Sequence, residues 1–299
     1  MPERTGPRAI MNADANETLF PACDCHVHVI GAASDYPMLP DRAYTPPAAT
    51  VAELNGHLAR LNLRRAVLIQ PSFYGTDNRC MMAALRELGD AARGVAVIGD
   101  DTDDGALEAL AAGGVRGVRV NLESIGVDDP AAARDALRAL AARVAPLGWH
   151  IQVYAASHVV AALAGLIADL GVPIVLDHFA MLTAGGGIGH RDVDAILPLV
   201  RDGHAYIKLS APYRVSAAAP RYADVAPIAR AFIGANPARV LWASDWPHTN
   251  RTPGARPVDV SPFRPIDDAA VLDEARAWCA SDDLRNKLFV ENPARLYGF

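Results

Sequence analysis

At 299 residues, the chain has room for one α/β barrel or for two ordinary domains, and its 51% apolar content is ample for a large core. A formal net charge of −6 repels polyphosphate backbones and argues against nucleic-acid binding, while leaving local arginines free to hold a small anion. No run of about 18 apolar residues is present to span a bilayer, which excludes a helical membrane protein.

In chain order, residues 1–20 have no apolar stretch long enough for a signal peptide and are expected to be a flexible lead-in. The first strand is predicted at 22–30 (ACDCHVHVI), ending in His26 and His28, whose spacing of two sends both rings to one side. A helix at 50–61 and a strand at 65–71 follow, then a loop with Ser72, Tyr74 and Asn78 and a helix at 78–89. A strand at 94–99, a helix at 103–112 and a strand at 115–122 carrying Arg116 and Arg119 come next. Pro130 and the alanine-arginine pattern after it mark a helix start at 130–146. The strand at 149–155 ends in Tyr154, and a helix is predicted at 158–170. The strand at 173–179 carries Asp177 and His178, and a helix follows at 191–201. The strand at 205–211 carries Lys208 and Ser210, and a helix is predicted at 221–234. The last strand, 239–245, ends in Asp245, before a proline-rich excursion at 253–265 and a helix at 267–278.

The strands are rich in valine and isoleucine and lack strict polar alternation, as strands buried on both faces do. Their alternation with helices predicts a single-domain (β/α)8 TIM barrel over residues 21–299. An open doubly wound sheet is the alternative, weakened because no glycine-rich nucleotide loop follows the first strand. Catalytic residues of such barrels collect at the C-terminal strand ends, where His26, His28, His178 and Asp245 all fall. His57, His150, His158, His190 and His204 fall away from that rim and are read as structural. Cys23, Cys25, Cys80 and Cys279 make no pair of CxxC units and are read as reduced packing residues, which fits a soluble cytoplasmic protein.

The motif DCHVHV at 24–29, ASDWPH at 243–248 and the tail ENPARLYGF resemble the amidohydrolase superfamily, in its amidohydrolase-related branch. Within it the chain is similar to the 2-pyrone-4,6-dicarboxylate lactonases and their sugar-lactone and muconolactone hydrolase relatives. YTPPAAT, GTDNR, RGVRVN, LGWHIQVY, the DHF turn and LSAPYR carry the likeness from about residue 21 to the end. The resemblance implies a lactonase in which His26, His28 and His178 surround the scissile carbonyl and Asp245 takes a proton from the attacking water. It also implies that Tyr44, Ser72, Arg119, Tyr154, Arg214 and Asn250 hold the substrate. In two places where dicarboxylate lactonases carry further arginines, this chain has Ile125 and Met181, which cannot fork onto a carboxylate. That favours a lactone with one acidic group, or a sugar lactone.

Metal-dependent relatives usually add a histidine where Tyr154 stands, so the expectation is that no cofactor is required. The alternative is one zinc ion on His26, His28, His178 and Asp245. The expected partner is a small-molecule substrate, with a homodimer as the ordinary oligomer. Competing functions are a zinc-dependent amidohydrolase or decarboxylase, a lactone isomerase, and a noncatalytic sensor on the same barrel.

Overall fold

The computed structural model describes residues 21–123 and 129–299, so the lead-in expected at 1–20 and the Ile125 position lie outside the described residues. Eight strands form one sheet in sequential order: β1 (Cys23–Val27), β2 (Arg65–Ile69), β3 (Ala92–Ala96), β4 (Val115–Asn121), β5 (His150–Tyr154), β6 (Ile174–Leu176), β7 (Ala205–Ser210) and β8 (Val240–Ala243). Every neighbouring pair is parallel. The sheet closes on itself just beyond β8: the His28 amide donates to the Trp246 carbonyl at 2.8 Å, and the Asp245 amide donates to the His26 carbonyl at 3.0 Å.

The helices between the strands are α1 (Val51–Arg60), α2 (Arg79–Leu88), α3 (Asp104–Ala112), α4 (Pro130–Val144), α5 (Ser157–Ala162), α6 (Ala164–Asp169), α7 (Val193–Arg201), α8 (Ala226–Ala235) and α9 (Asp268–Trp278). Side chains start several of them: Thr50 and Glu53 form a reciprocal capping box on α1, and Asp103, Asp129 and Asp267 accept from first-turn amides of α3, α4 and α9. The helix expected at 158–170 is broken in two at Leu163, and α8 starts at Ala226 after a 3-10 turn. Two further helices, α10 (Asp282–Asn286) and α11 (Asn292–Tyr297), joined by a π-turn, were not anticipated.

Strand residues alternate between two packing layers. Ile151, Val153, Leu176, Ile207 and Trp242 point outward into the core beneath the helices. Cys23, Cys25, Val67, Val95, Val175, Tyr206 and Leu241 fill the barrel itself, and Tyr297 of α11 joins them as a plug. The Tyr297 ring meets the ring of His150 edge-on at 5.3 Å. A Cβ at Gly117 would lie 2.2 Å from the His150 ring, so β4 needs glycine where that ring crosses it. All four cysteines are buried and unpaired, as packing residues are.

The register of β1 slips between Asp24 and Val27. Cys25 and His26 therefore both face the barrel, His28 follows on the same side, and Asp24 faces out. Asp24 ties the closing strands to the helices behind them. It accepts from the Ser244 amide at 3.0 Å and the Ser244 hydroxyl at 2.5 Å, and it meets His57 Nε2 at 3.3 Å. His57 Nδ1 lies 3.4 Å from Asp268, whose other oxygen meets His248 Nε2 at 2.9 Å. Burial opposes charge on His57, but Asp24 and Asp268 outweigh it and push its pKa up to about 9. His57 lies away from the strand-end rim, between two carboxylates that favour its protonated form.

Among the described residues, no helix is long and apolar enough to cross a membrane.

Candidate active site

The C-terminal ends of β1, β6 and β8 bring three imidazoles and one carboxylate together. His26 and His28 meet edge-on at 5.0 Å between ring centroids, and His26 lies 4.8 Å from His178. His178 reaches this position because the chain leaving β6 takes four successive left-handed residues, His178 to Met181, with φ between 50° and 56°.

The hydrogen bonds at the outer nitrogens assign different states to these rings. His28 Nδ1 lies 2.8 Å from the Ile69 carbonyl. A carbonyl only accepts, so Nδ1 holds the hydrogen, and in the neutral ring Nε2 is an acceptor. His178 Nδ1 pairs with the Ser210 hydroxyl at 2.9 Å, and its Nε2 has no partner among the described residues. His26 Nδ1 lies 3.3 Å from Asp177 Oδ1 and 3.4 Å from Lys208 Nζ. Burial lowers the pKa of His26 well below the usual imidazole range and that of His178 to about 3, despite the opposing pull of nearby carboxylates.

Asp245 stands at the centre. Its backbone takes a left-handed φ of 69°, locked by the bond to His26 and by the His248 amide donating to its carbonyl at 2.8 Å. Oδ2 accepts from Tyr213 at 2.7 Å and from Arg214 Nε and Nη2 at 2.9 and 2.6 Å. Oδ1 has no hydrogen-bond donor among the described residues and faces Nε2 of both His26 and His28 at 3.5 Å. Burial would raise the Asp245 pKa, but Arg214 and the surrounding histidines hold it well below the carboxylate range.

A second buried carboxylate sits beneath. Asp177 lies 3.4 Å from Lys208 Nζ and 3.5 Å from Arg119, and it accepts from Gln152 Nε2 at 2.9 Å. Lys208 also donates to Gln152 Oε1 at 2.6 Å. Lys208 and Asp177 are inaccessible, and a charge so placed is tolerable only when paired. Burial alone would raise the pKa of Asp177; Lys208 and His26 hold it well below the usual range instead.

Above this cluster opens a pocket of about 210 Å³. Tyr44, Ser72, Arg119, Tyr154, Arg214 and Asn250, the residues expected to hold substrate, all line it, together with His28 and Asp245. His26 and His178 lie beneath its floor with no exposed surface. Sequence reasoning missed Asn121, Glu123, Thr249, Arg251 and Arg264 in the lining. The signal for Arg264 was the proline-rich segment, which folds back over the rim: the Ser261 amide donates to the Thr45 carbonyl at 2.8 Å, and the Arg264 amide donates to the His248 carbonyl at 2.9 Å. Met181 packs on the core outside the pocket. A larger groove of about 840 Å³ beside α2 and α3 contains none of the catalytic candidates.

Two sets of donors have metal-binding spacing, His26–His28–Asp245 and His26–Asp177–His178, with ligand atoms within 4.8 Å of one another. The first set suits one divalent ion in donor type, and His26 Nε2 and Asp245 Oδ1 have no hydrogen-bond partner among the described residues. Charge competes with such an ion, because Arg214 already pairs with Asp245, and Lys208 and Arg119 with Asp177.

A sequence model of the amidohydrolase family matches residues 23–299. The chain is 34% identical to a 2-pyrone-4,6-dicarboxylate hydrolase of Comamonas testosteroni over 285 residues, covering 92% of this chain and 90% of that protein. It is 28% identical to a 4-sulfomuconolactone hydrolase of Hydrogenophaga intermedia, covering 92% of this chain and 88% of the other. Among solved structures, a probable 2-pyrone-4,6-dicarboxylic acid hydrolase from Acinetobacter baumannii with citric acid bound superposes with a TM-score of 0.77 at 26% identity, covering 93% of this chain and all of that one (100%). A match that runs from β1 to the last residue, on a closed barrel with this rim, makes the chain a member of the amidohydrolase family.

Proposed function

We propose that this enzyme opens the ring of a small carboxylated or sugar-derived lactone by attack of water. The observation that carries the reading is Asp245 Oδ1, a buried carboxylate oxygen with no donor among the described residues, facing Nε2 of His28 on the floor of a polar pocket and Nε2 of His26 beneath it.

A water between Asp245 Oδ1 and His28 Nε2 has an acceptor for each of its hydrogens. Its oxygen attacks the lactone carbonyl carbon while Asp245 takes one proton. The carbonyl oxygen gains negative charge; for it to accept from His26 and His178, which lie beneath the floor without exposed surface, the substrate must settle between Asp245 and His28. The scheme takes the tautomers in which Lys208 donates to His26 Nδ1 and Ser210 donates to His178 Nδ1, so that the hydrogens stand on the two Nε2 atoms. One such donor contributes about 3 kcal/mol to lowering the barrier. The tetrahedral intermediate collapses, the ring C–O bond breaks, and Asp245 returns the proton to the leaving oxygen. In this scheme His28 serves the water, whereas the resemblance implied that all three histidines serve the carbonyl.

Arg214 orients Asp245 and keeps it ionised. A substrate anion that draws Arg214 off Oδ2 returns basicity to Asp245 as it binds. One divalent ion, when bound, would be held by His26, His28 and Asp245 and would polarise the carbonyl as a Lewis acid. The proposed reaction requires none, since a lactone carbonyl needs less polarisation than an amide.

A lactone isomerase is the second reading, because the same donors favour ring closure at another oxygen. A turnover screen of sugar lactones, muconolactones and pyrone carboxylates in isotopically labelled water separates the two. Solvent oxygen in the product supports hydrolysis. Turnover without it selects the isomerase, and no turnover on any class removes both.

A further inference from the structure

We infer that Arg251 and Arg264 form an anion subsite that selects lactones carrying a second anionic group. The inference rests on the lactonase reading above and reverses the sequence expectation of a substrate with at most one acidic group.

Four guanidiniums line a pocket whose lining holds only two carboxylates, Asp245 and Glu123. Arg214 is committed to Asp245 at 2.6 Å, and Arg119 reaches down to Asp177 at 3.5 Å. Among the described residues, no carboxylate pairs with Arg251 or Arg264. On the outer side of the pocket, next to the segment that follows β8, these two guanidiniums are exposed and, among the described residues, not compensated by a carboxylate.

That segment is anchored. The Thr45 hydroxyl donates to the Pro257 carbonyl at 2.7 Å, and the Arg264 amide is tied to the carbonyl of His248. The Arg264 guanidinium lies 5.5 Å from the centroid of the Tyr213 ring, whose hydroxyl donates to Asp245. Stacking on an aromatic face leaves the edge donors of a guanidinium free for a carboxylate or a sulfonate. One anionic group of the substrate thus meets Arg214, drawing it off Asp245, and the second meets Arg251 and Arg264 at the mouth.

The test compares wild type with Arg251→Gln, Arg264→Gln and the double variant on a matched pair, 2-pyrone-6-carboxylate and 2-pyrone-4,6-dicarboxylate. The expected result is that the double variant's KM for the dicarboxylate rises at least about ten-fold more than its KM for the monocarboxylate, the scale of one lost charge-assisted hydrogen bond. Equal changes on both substrates, or none, overturn the inference. Calorimetric binding of isophthalate and benzoate is measured in parallel, because it needs no turnover. Wild-type preference for isophthalate that the double variant loses upholds the subsite even where no lactone is hydrolysed, an outcome that removes only the lactonase reading. Lactone hydrolysis with no such preference removes only the subsite.

Discussion

Arg214 grips Asp245 through a single carboxylate oxygen, Oδ2, with two nitrogens at 2.9 and 2.6 Å, and leaves Oδ1 turned toward His26 and His28. The pair divides one carboxylate into a held side and a side without a hydrogen-bond donor among the described residues. It also sets the protonation state of the site, because the guanidinium charge outweighs the effect of burial on Asp245.

If Asp245 takes the proton of the attacking water, Asp245→Asn keeps the shape and loses the base. Turnover should fall by about 10²- to 10⁴-fold while thermal unfolding stays close to wild type. A folded variant with near-normal kcat would take Asp245 out of that role.

Removing Arg214 takes away the positive charge that favours ionised Asp245, so the Asp245 pKa rises in Arg214→Met. The acid limb of the kcat/KM profile should therefore move to higher pH, and KM for anionic lactones should increase. An unmoved acid limb would mean that Arg214 does not govern the group being titrated.

His57 gives a separate signal in stability. Its pKa is about 9 in the folded chain, above the ordinary value of 6.5. The stabilisation from its charge is therefore complete below about pH 6.5 and is lost as the pH rises through about 9. The difference corresponds to roughly 3 kcal/mol. His57→Gln should be markedly less stable than wild type at pH 6, with the gap narrowing at pH 10 in denaturant titrations. A gap independent of pH would assign the loss to packing alone.

Prolonged treatment with a chelator, followed by metal analysis, should leave lactone turnover within about two-fold of the untreated enzyme, since the proposed chemistry rests on hydrogen-bond donors. Loss of activity that zinc restores would replace this mechanism with a metal-assisted one on His26, His28 and Asp245.

Much of this was legible in the chain itself. The alternation of apolar runs and helical segments located all eight strands, because strands buried on both faces have a composition unlike that of the helices around them. The rim set of His26, His28, His178 and Asp245 was legible because a barrel gathers its strand ends on one face. Less legible were α10 and α11, whose short charged stretches make sense only with Tyr297 seated in the barrel. The break at Leu163 and the slip in β1 were equally hidden, since both depend on neighbours distant in sequence.

The sequence by itself determined the barrel, the family and the residue types at the rim, since those follow from local pattern and from motifs near strand ends. Only the tertiary structure decided what those residues face. It set Arg214 on Asp245, placed His28 Nδ1 against the Ile69 carbonyl, and brought Arg251 and Arg264 to the pocket. Hydrogen-bond direction and charge pairing depend on distances of a few ångströms between groups far apart along the chain, and those distances exist only once the barrel has closed.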